Sequence, residues 1–159
     1  MQRLMIVVPC YNEEEILPYS IQKLTDVIKN LISNSKVASN SGILFVNDGS
    51  KDHTWEIIQT EYNNNPYIYG LDLAGNVGHQ NALFAGIQTA AEICDVSISI
   101  DADLQDDINV IEQMVDEYLA GADIVYGVRS ERTTDTFFKR FTAQSFYRVM
   151  QMMGVKTVY

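Results

Sequence analysis

The chain has 159 residues, of which 47% are hydrophobic, and this is enough apolar side chain for one globular domain with a buried core. Its formal net charge of −10 at pH 7 argues against nucleic acid as a partner, because nucleic-acid phosphates require a basic surface. If the partner is anionic, a metal ion must supply the positive charge.

The two cysteines, Cys10 and Cys94, have no zinc-site spacing and form no disulfide framework, which suits a reducing compartment. The sequence shows neither a secretory leader nor an apolar run of about 18 residues that could span a membrane. We therefore expect the chain as given to be soluble.

Short apolar, β-branched runs bounded by turn residues predict five strands. These runs are residues 4–8, 43–46, 68–73, 96–100 and 124–128. Apolar residues at helical spacing predict helices within residues 16–31, 83–91, 111–119 and 137–153, the last without an identified packing partner. Alternating strands and helices predict an α/β fold with a mainly parallel central sheet flanked by helices. Residues 33–42 and 63–66 are predicted to be a loose connection and a turn.

Asp101 and Asp103 follow directly after the fourth predicted strand. Ligands of open α/β sheets bind at the carboxyl ends of the strands, and both carboxylates can turn toward that edge. Mg²⁺ is usually held by one or two carboxylates together with substrate phosphates, and Gln105 offers a further oxygen. The alternative is that Asp106 and Asp107 cap the next helix and the other acids are solvated loop residues.

Polar segments also follow three other predicted strands, at residues 9–15, 47–50 and 127–130. All of them should meet at one edge of the sheet. Tyr11 could stack on a base, and Glu13 or Asp48 could accept hydrogen bonds from a base or ribose. Each segment also has an ordinary interpretation, since acids favour helix N-termini and Asp-Gly-Ser forms turns.

Arg129 and Arg132 follow the fifth predicted strand. Their guanidinium groups suit bidentate contact with phosphate oxygens. The alternative is that both arginines simply face water.

The sequence resembles the family 2 glycosyltransferases in five motifs that occur in that family's order and spacing. The motifs are VVPCYNEE at 7–14, VNDGSKD at 46–52, NVGHQNAL at 76–83, DADLQD at 101–106 and GVR at 127–129. They are most similar to the polyprenyl-phosphate branch, which includes dolichol-phosphate mannose synthase and bacterial undecaprenyl-phosphate glucosyltransferases. The clear resemblance covers residues 4–132.

The resemblance implies a GT-A nucleotide-sugar-binding domain and an inverting transfer of a hexose from a UDP- or GDP-sugar. The expected acceptor is polyprenyl phosphate, and the alternative is a growing polysaccharide or protein glycan. The implied donor contacts are Pro9, Tyr11, Glu13, Val46, Asp48, Asp101, Ala102 and Arg129, and the implied ligands of Mg²⁺ or Mn²⁺ are Asp103 and Gln105.

Two positions in these motifs need separate comment. Many family members have a second aspartate where this chain has Asn47, and this difference favours Asp48 as the nucleoside contact. His79 is expected to be a structural or donor-side residue and not a base, because the sequence offers no neighbour to orient it.

In the polyprenyl branch a further acidic motif and membrane-associated helices follow the region present here. We therefore expect residues 1–159 to be a single, truncated catalytic domain, with any general base beyond Tyr159. The full-length protein is expected at the cytoplasmic face of the membrane through its missing C-terminal segment. The fragment is expected to bind donor, to transfer little or no sugar and to self-associate through exposed apolar faces.

Two other classes of protein fit part of the pattern. A sugar-phosphate nucleotidyltransferase would also combine an α/β sheet with a metal, but it has a glycine-rich, basic loop near the first strand, where this chain is acidic. A non-catalytic nucleotide-sugar-binding module would use the same donor residues, and turnover by a longer protein would distinguish it from an enzyme.

Overall fold

A computed structural model describes residues 1–105 and 107–127 of the chain. In chain order the elements are β1 (Leu4–Cys10), α1 (Leu17–Ser33), β2 (Gly42–Asn47), α2 (Thr54–Asn64), β3 (Ile68–Asp72), α3 (His79–Ala91), β4 (Val96–Ser99) and α4 (Val110–Leu119). All of them belong to one compact unit, Met1–Val125. None of the described helices combines the length and apolarity needed to cross a bilayer.

The four strands form one sheet in the order β3-β2-β1-β4, and every pairing is parallel. The two central strands, β1 and β2, are buried along their whole length. Near-continuous apolar runs of this kind are typical of parallel strands covered on both faces. The predicted parallel α/β sheet is therefore confirmed.

Alternate residues of β1 point to two different cores. On one face, Leu4, Ile6 and Val8 pack with apolar residues of α1, α2 and α4. On the other face, Met5 and Val7 pack with Ala82 and Ala90 of α3. Because all four strands are parallel, their carboxyl ends lie at the same edge of the sheet.

Helix α3 packs very closely on the two central strands. A Cβ atom at Gly86 would lie 2.6 Å from Cγ1 of Val7 and 2.7 Å from Cγ2 of Val46. The absence of a side chain at Gly86 therefore allows the close approach that brings the N-terminus of α3 to the carboxyl edge of the sheet.

Two predictions about individual elements were wrong. No helix was predicted between β2 and β3, whereas α2 occupies Thr54–Asn64, so that Asn63 and Asn64 belong to the helix and not to a turn. The fifth strand is absent over residues 124–127, where the chain makes no strand pairing and Ile124 is 70% exposed. A short β-branched run forms a strand only where a neighbouring strand pairs with it. Val128 and the predicted helix at 137–153 lie outside the described residues.

Candidate functional site at the carboxyl edge of the sheet

The segment after β4 forms an acidic turn, Asp101–Gln105, in which inward and outward side chains alternate. Ile100, Ala102 and Leu104 pack against the core, whereas Asp101, Asp103 and Gln105 are exposed. The backbone is left-handed at Leu104 (φ 49°), a conformation in which few non-glycine residues are found. The turn therefore leaves two carboxylates and one amide accessible at its surface.

Hydrogen bonds within the acidic turn fix its backbone. The Leu104 amide donates to the carbonyl oxygen of Asp101 at 3.2 Å, and the Gln105 amide donates to Oδ1 of Asp103 at 3.1 Å. Asp107 accepts from the backbone amide and side chain of Asn109, just before α4. Asp107 therefore holds the turn before α4 and does not cap the helix, whose N-cap position is Asn109 without a side-chain cap hydrogen bond; Asp106 lies outside the described residues.

Glu13, in the loop after β1, lies in the electric field of the acidic turn. Partial burial raises the pKa of its carboxyl, and the negative charges of Asp103, Asp52 and Asp101 raise that pKa further. The structure therefore brings Glu13 together with the acidic turn, so that three predicted site carboxylates share one region.

His79, the first residue of α3, lies beside the same turn. Its Nε2 is 3.5 Å from Oδ1 of Asp101, and the two side chains are 57% and 62% exposed. Asp101 also lines a cleft of about 210 Å³ with Pro9, Leu83 and Ser99. The fold thus gives His79 an acidic neighbour, 22 positions away in sequence, that the sequence did not reveal.

The loops after β1 and β2 are joined by a series of hydrogen bonds. The Asn12 amide donates to Oγ of Ser50, the Glu13 amide to Oγ1 of Thr54, and the Lys51 amide to Oδ1 of Asn12. Tyr11, 41% exposed, precedes these contacts directly. The two loops therefore form one interlocked unit beside the acidic turn.

His53 and Glu14 add a charged contact to these interlocked loops. Oε2 of Glu14 accepts from the His53 backbone amide at 2.9 Å and lies 2.7 Å from Nδ1 of the His53 ring. The Glu14 carboxylate raises the pKa of His53, and hydrogen bonds from the His53 backbone and side chain lower the pKa of Glu14.

This pair predicts a pH dependence of stability. The His53 contribution is fully present below the imidazole's unfolded pKa of about 6.5 and is lost as pH rises through the higher folded value. The Glu14 contribution is present above the carboxyl's unfolded pKa of about 4.3 and is lost as pH falls through the lower folded value. We expect the melting temperature of the parent to exceed that of His53→Gln most clearly near pH 5.5, with a smaller difference at pH 8.5. A difference that is independent of pH would contradict this assignment.

Asp48 lies at the end of β2 and is almost completely buried, with 2% of its surface exposed. Its Oδ1 accepts from the Val77 amide at 2.7 Å and its Oδ2 from the Gly78 amide at 3.0 Å. Gly49, at φ 63°, allows the same loop to approach closely, since a Cβ atom there would lie 2.6 Å from the Asn76 nitrogen. Asp48 thus holds the loop that leads into α3, and its predicted contact with a nucleoside stays a prediction.

The fold gives Asn47 a hydrogen-bond partner, Asp72, that favours an amide over a second carboxylate at this position. Its Nδ2 donates to Oδ1 of Asp72 at 2.7 Å, and its Oδ1 accepts from the Ser50 amide at 3.2 Å. Asn47 is 3% exposed, so an aspartate here would bury a negative charge beside the carboxylate of Asp72, which is itself exposed.

Asn47→Asp is therefore expected to destabilise the fold. The loss of a donor and the close approach of like charges should cost about 1–3 kcal/mol, measured as the free energy of unfolding in urea. The double variant Asn47→Asp/Asp72→Asn exchanges the two groups and should recover much of this loss. Equal stability of the single variant and the parent would contradict the argument.

The other predicted donor residues differ in their accessibility. The side chain of Val46 is buried against Gly86 of α3, and the Ala102 side chain is buried in the core. Pro9 lines the cleft. Arg129 and Arg132 lie outside the described residues.

The donor set of the acidic turn fits a divalent cation that is shared with a ligand. Within residues 1–105 and 107–127, no group of three or more His, Cys, Asp and Glu side chains is arranged to hold a metal ion. Mg²⁺, however, is commonly held by one or two carboxylates plus substrate phosphates. The exposed Asp101 and Asp103, together with the raised pKa of Glu13, mark a region of negative potential that a cation would neutralise.

The fold and the edge site define an α/β protein with an acidic turn at the carboxyl edge of its parallel sheet. This chain belongs to glycosyl transferase family 2, whose family model matches residues 5–157. It is 54% identical over 156 residues to the uncharacterized glycosyltransferase YkoT of Bacillus subtilis (strain 168), covering 98% of this chain and 46% of YkoT. It is 39% identical over 147 residues to the bactoprenol glucosyl transferase of Shigella phage SfV, covering 92% of this chain and 45% of that protein.

Solved structures show the same fold. S. aureus TarS 1–349 in complex with UDP matches with a TM-score of 0.54 and 18% sequence identity, covering 86% of this chain and 39% of TarS 1–349. The complex of the same protein with UDP-GlcNAc matches with a TM-score of 0.53. The α/β GT-A fold implied by the resemblance is confirmed. The chain spans about half the length of the curated relatives that it matches.

Proposed function

We propose that the chain binds a nucleotide-diphosphate sugar in an inverting glycosyltransferase that transfers a hexose to polyprenyl phosphate. The observation that carries the donor proposal is the acidic turn, which presents Asp101, Asp103 and Gln105 outward at the carboxyl edge of a parallel sheet. Nucleotide ligands of open α/β sheets bind at this edge.

The two sides of the site suit different parts of the donor. Tyr11 and Asp48 follow neighbouring strands, and the Asp48 amide donates to the Cys10 carbonyl oxygen at 2.9 Å. We assign the nucleoside to this side and the diphosphate to the acidic turn, where Asp103 and Gln105 would hold Mg²⁺ or Mn²⁺. Bound there, the cation would offset the charge that develops on the leaving diphosphate. Asp101 is assigned to the sugar-diphosphate, beside His79.

The acceptor proposal rests on relatives. Relatives at 39% identity are named bactoprenol glucosyl transferase or a homolog of it, which supports a polyprenyl-phosphate acceptor and an enzyme that acts at the cytoplasmic face of a membrane. A phosphate-monoester oxygen is already anionic, so this acceptor requires less from a general base than a sugar hydroxyl does. We assign no base among the described residues.

Calorimetric titration tests the donor proposal. The purified chain is titrated with UDP-glucose and GDP-mannose, each with Mn²⁺ and again with EDTA, and with UMP and GMP as controls that lack the diphosphate. We expect one nucleotide class to bind, with at least about a 10-fold loss of affinity for the sugar-diphosphate in EDTA and a much smaller loss for the monophosphate. Failure of both nucleotide-sugars to bind in Mn²⁺ would overturn the proposal.

The acceptor is tested separately with radiolabelled donor and undecaprenyl phosphate in detergent. Undecaprenol, which lacks the phosphate, is the matched control. We expect the full-length protein to transfer sugar only to the phosphorylated lipid. We expect residues 1–159 alone to transfer little sugar. Efficient transfer to undecaprenol or to a glycan instead would overturn the assigned acceptor.

A further inference from the structure

Ser20 is a polar residue in an apolar position. It lies on the inward face of α1 and is completely buried, and its neighbours Leu17, Ile21 and Leu24 are buried as well. Serine forms helices less readily than alanine, and a buried hydroxyl requires a hydrogen-bond partner. Alanine would therefore suit the helix itself better.

The partner of Ser20 is the acidic turn, which lies 82 positions further along the chain. Oγ of Ser20 lies 2.6 Å from the carbonyl oxygen of Ala102 and 3.3 Å from that of Ile16 in its own helix. A hydroxyl has one proton to donate, and the shorter distance assigns this proton to Ala102.

Ala102 is the central residue between the two exposed carboxylates. Its side chain is buried in the core, and its carbonyl oxygen is bound to Ser20, so the middle of the turn is held on the inward side by two contacts. With Ala102 held inward, the flanking Asp101 and Asp103 must face outward. A hydroxyl inside α1 thus fixes the direction of the carboxylates without touching them.

We infer that Ser20 is a positioning residue for the donor site. Through its hydrogen bond to Ala102, Ser20 holds the acidic turn in the geometry that binds the metal-diphosphate. The identity of the ligand in this inference rests on the proposed function, and the geometry rests on the hydrogen bond from Ser20 to Ala102. Ser20 is not a catalytic residue, because it is buried behind the turn.

The test compares Ser20→Ala with Thr25→Val. Thr25 is a second buried hydroxyl of α1 and accepts from Nδ2 of Asn65, remote from the acidic turn. Both variants lose one side-chain hydrogen bond of α1, buried at Ser20 and partly buried at Thr25, and should melt at lower temperature than the parent. We expect only Ser20→Ala to show faster amide exchange at Leu104 and Gln105, by roughly 3- to 10-fold, the effect of losing one such bond. Equal exchange in Ser20→Ala and the parent would overturn the inference.

A second measurement examines the ligand. In Mn²⁺, Ser20→Ala should bind the nucleotide-sugar roughly 3- to 10-fold more weakly than the parent. In EDTA, the affinity of Ser20→Ala should equal that of the parent. Thr25→Val should bind the nucleotide-sugar as tightly as the parent in both conditions. Parent-like Mn²⁺ dependence in Ser20→Ala would overturn the inference. If Ser20→Ala does not fold, Ser20→Cys, which retains a weak donor, gives the same comparison. If the parent itself binds no nucleotide-sugar, the proposed function fails, and amide exchange in the metal-free chain still decides whether Ser20 anchors the turn.

Discussion

Replacing Asp103 with asparagine is expected to remove the metal-dependent part of nucleotide-sugar binding and to leave the fold intact. Asparagine has the same size, and its Oδ1 can still accept the hydrogen bond that the Gln105 amide donates to Asp103. Only the negative charge is lost, and a hard cation depends on that charge for binding. Loss of even an outer partner of a metal ligand costs about 10- to 100-fold in metal affinity, so we expect a loss at least this large.

The matched control for this variant is Asp107→Asn. Asp107 is an exposed aspartate four positions further along, and its Oδ1 also accepts a backbone amide. Calorimetric titration with Mn²⁺ should therefore give parent-like affinity for Asp107→Asn and a greatly reduced affinity for Asp103→Asn. Parent-like Mn²⁺ dependence in Asp103→Asn would remove Asp103 from the site.

The second large effect is expected at Asp48. Two backbone amides donate to its carboxylate, and asparagine can offer an oxygen to only one of them, while its amino group faces the other donor. Loss of a buried, charge-assisted hydrogen bond should cost about 2–3 kcal/mol in the free energy of unfolding. The loop at Val77 and Gly78 should also lose amide protection, and nucleoside diphosphate should bind more weakly to Asp48→Asn and Asp48→Ala.

Asn47→Asp serves as the control for Asp48. It is expected to destabilise the same strand end without touching the loop that leads into α3, so its amide exchange at Val77 and Gly78 should stay close to that of the parent. If Asp48→Ala binds nucleoside diphosphate as tightly as the parent, Asp48 has no part in the nucleoside side of the site.

Strong local patterns predicted most of the fold. Apolar runs placed β1 to β4, and helical spacing placed α1, α3 and α4. The face of α3 that packs on the sheet is nevertheless formed by Ala82, Gly86 and Ala90, whereas Ile87, on which the prediction relied, is 36% exposed. Helix α2 was missed because Tyr62 is the only apolar side chain after Ile58 in this helix, which leaves a weak periodic signal. The parallel order of β2 and β3 could have revealed α2, since parallel neighbours need a crossover connection.

The site was predictable only in part. The sequence predicts that polar residues follow several strand ends, and the structure brings Glu13, Asp101 and Asp103 into one region. The sequence does not reveal pairs that only the fold creates, such as Asn47 with Asp72 or His79 with Asp101. Ser20 did leave a local signal, namely a serine at a position where the helical pattern requires an apolar residue.

The strand order has a consequence for the synthesis of this protein. One edge of β1 pairs with β2, but the other edge pairs only with β4, and Arg3 beside β1 bonds to Asp95, 92 positions away. Until β4 leaves the ribosome, the most apolar strand of the sheet has an unpaired edge, and such edges recruit strands from other chains. Nascent chains that stall before residue 96 are therefore expected to aggregate, and chaperones that cover apolar strands should bind them longer than chains that already carry β4.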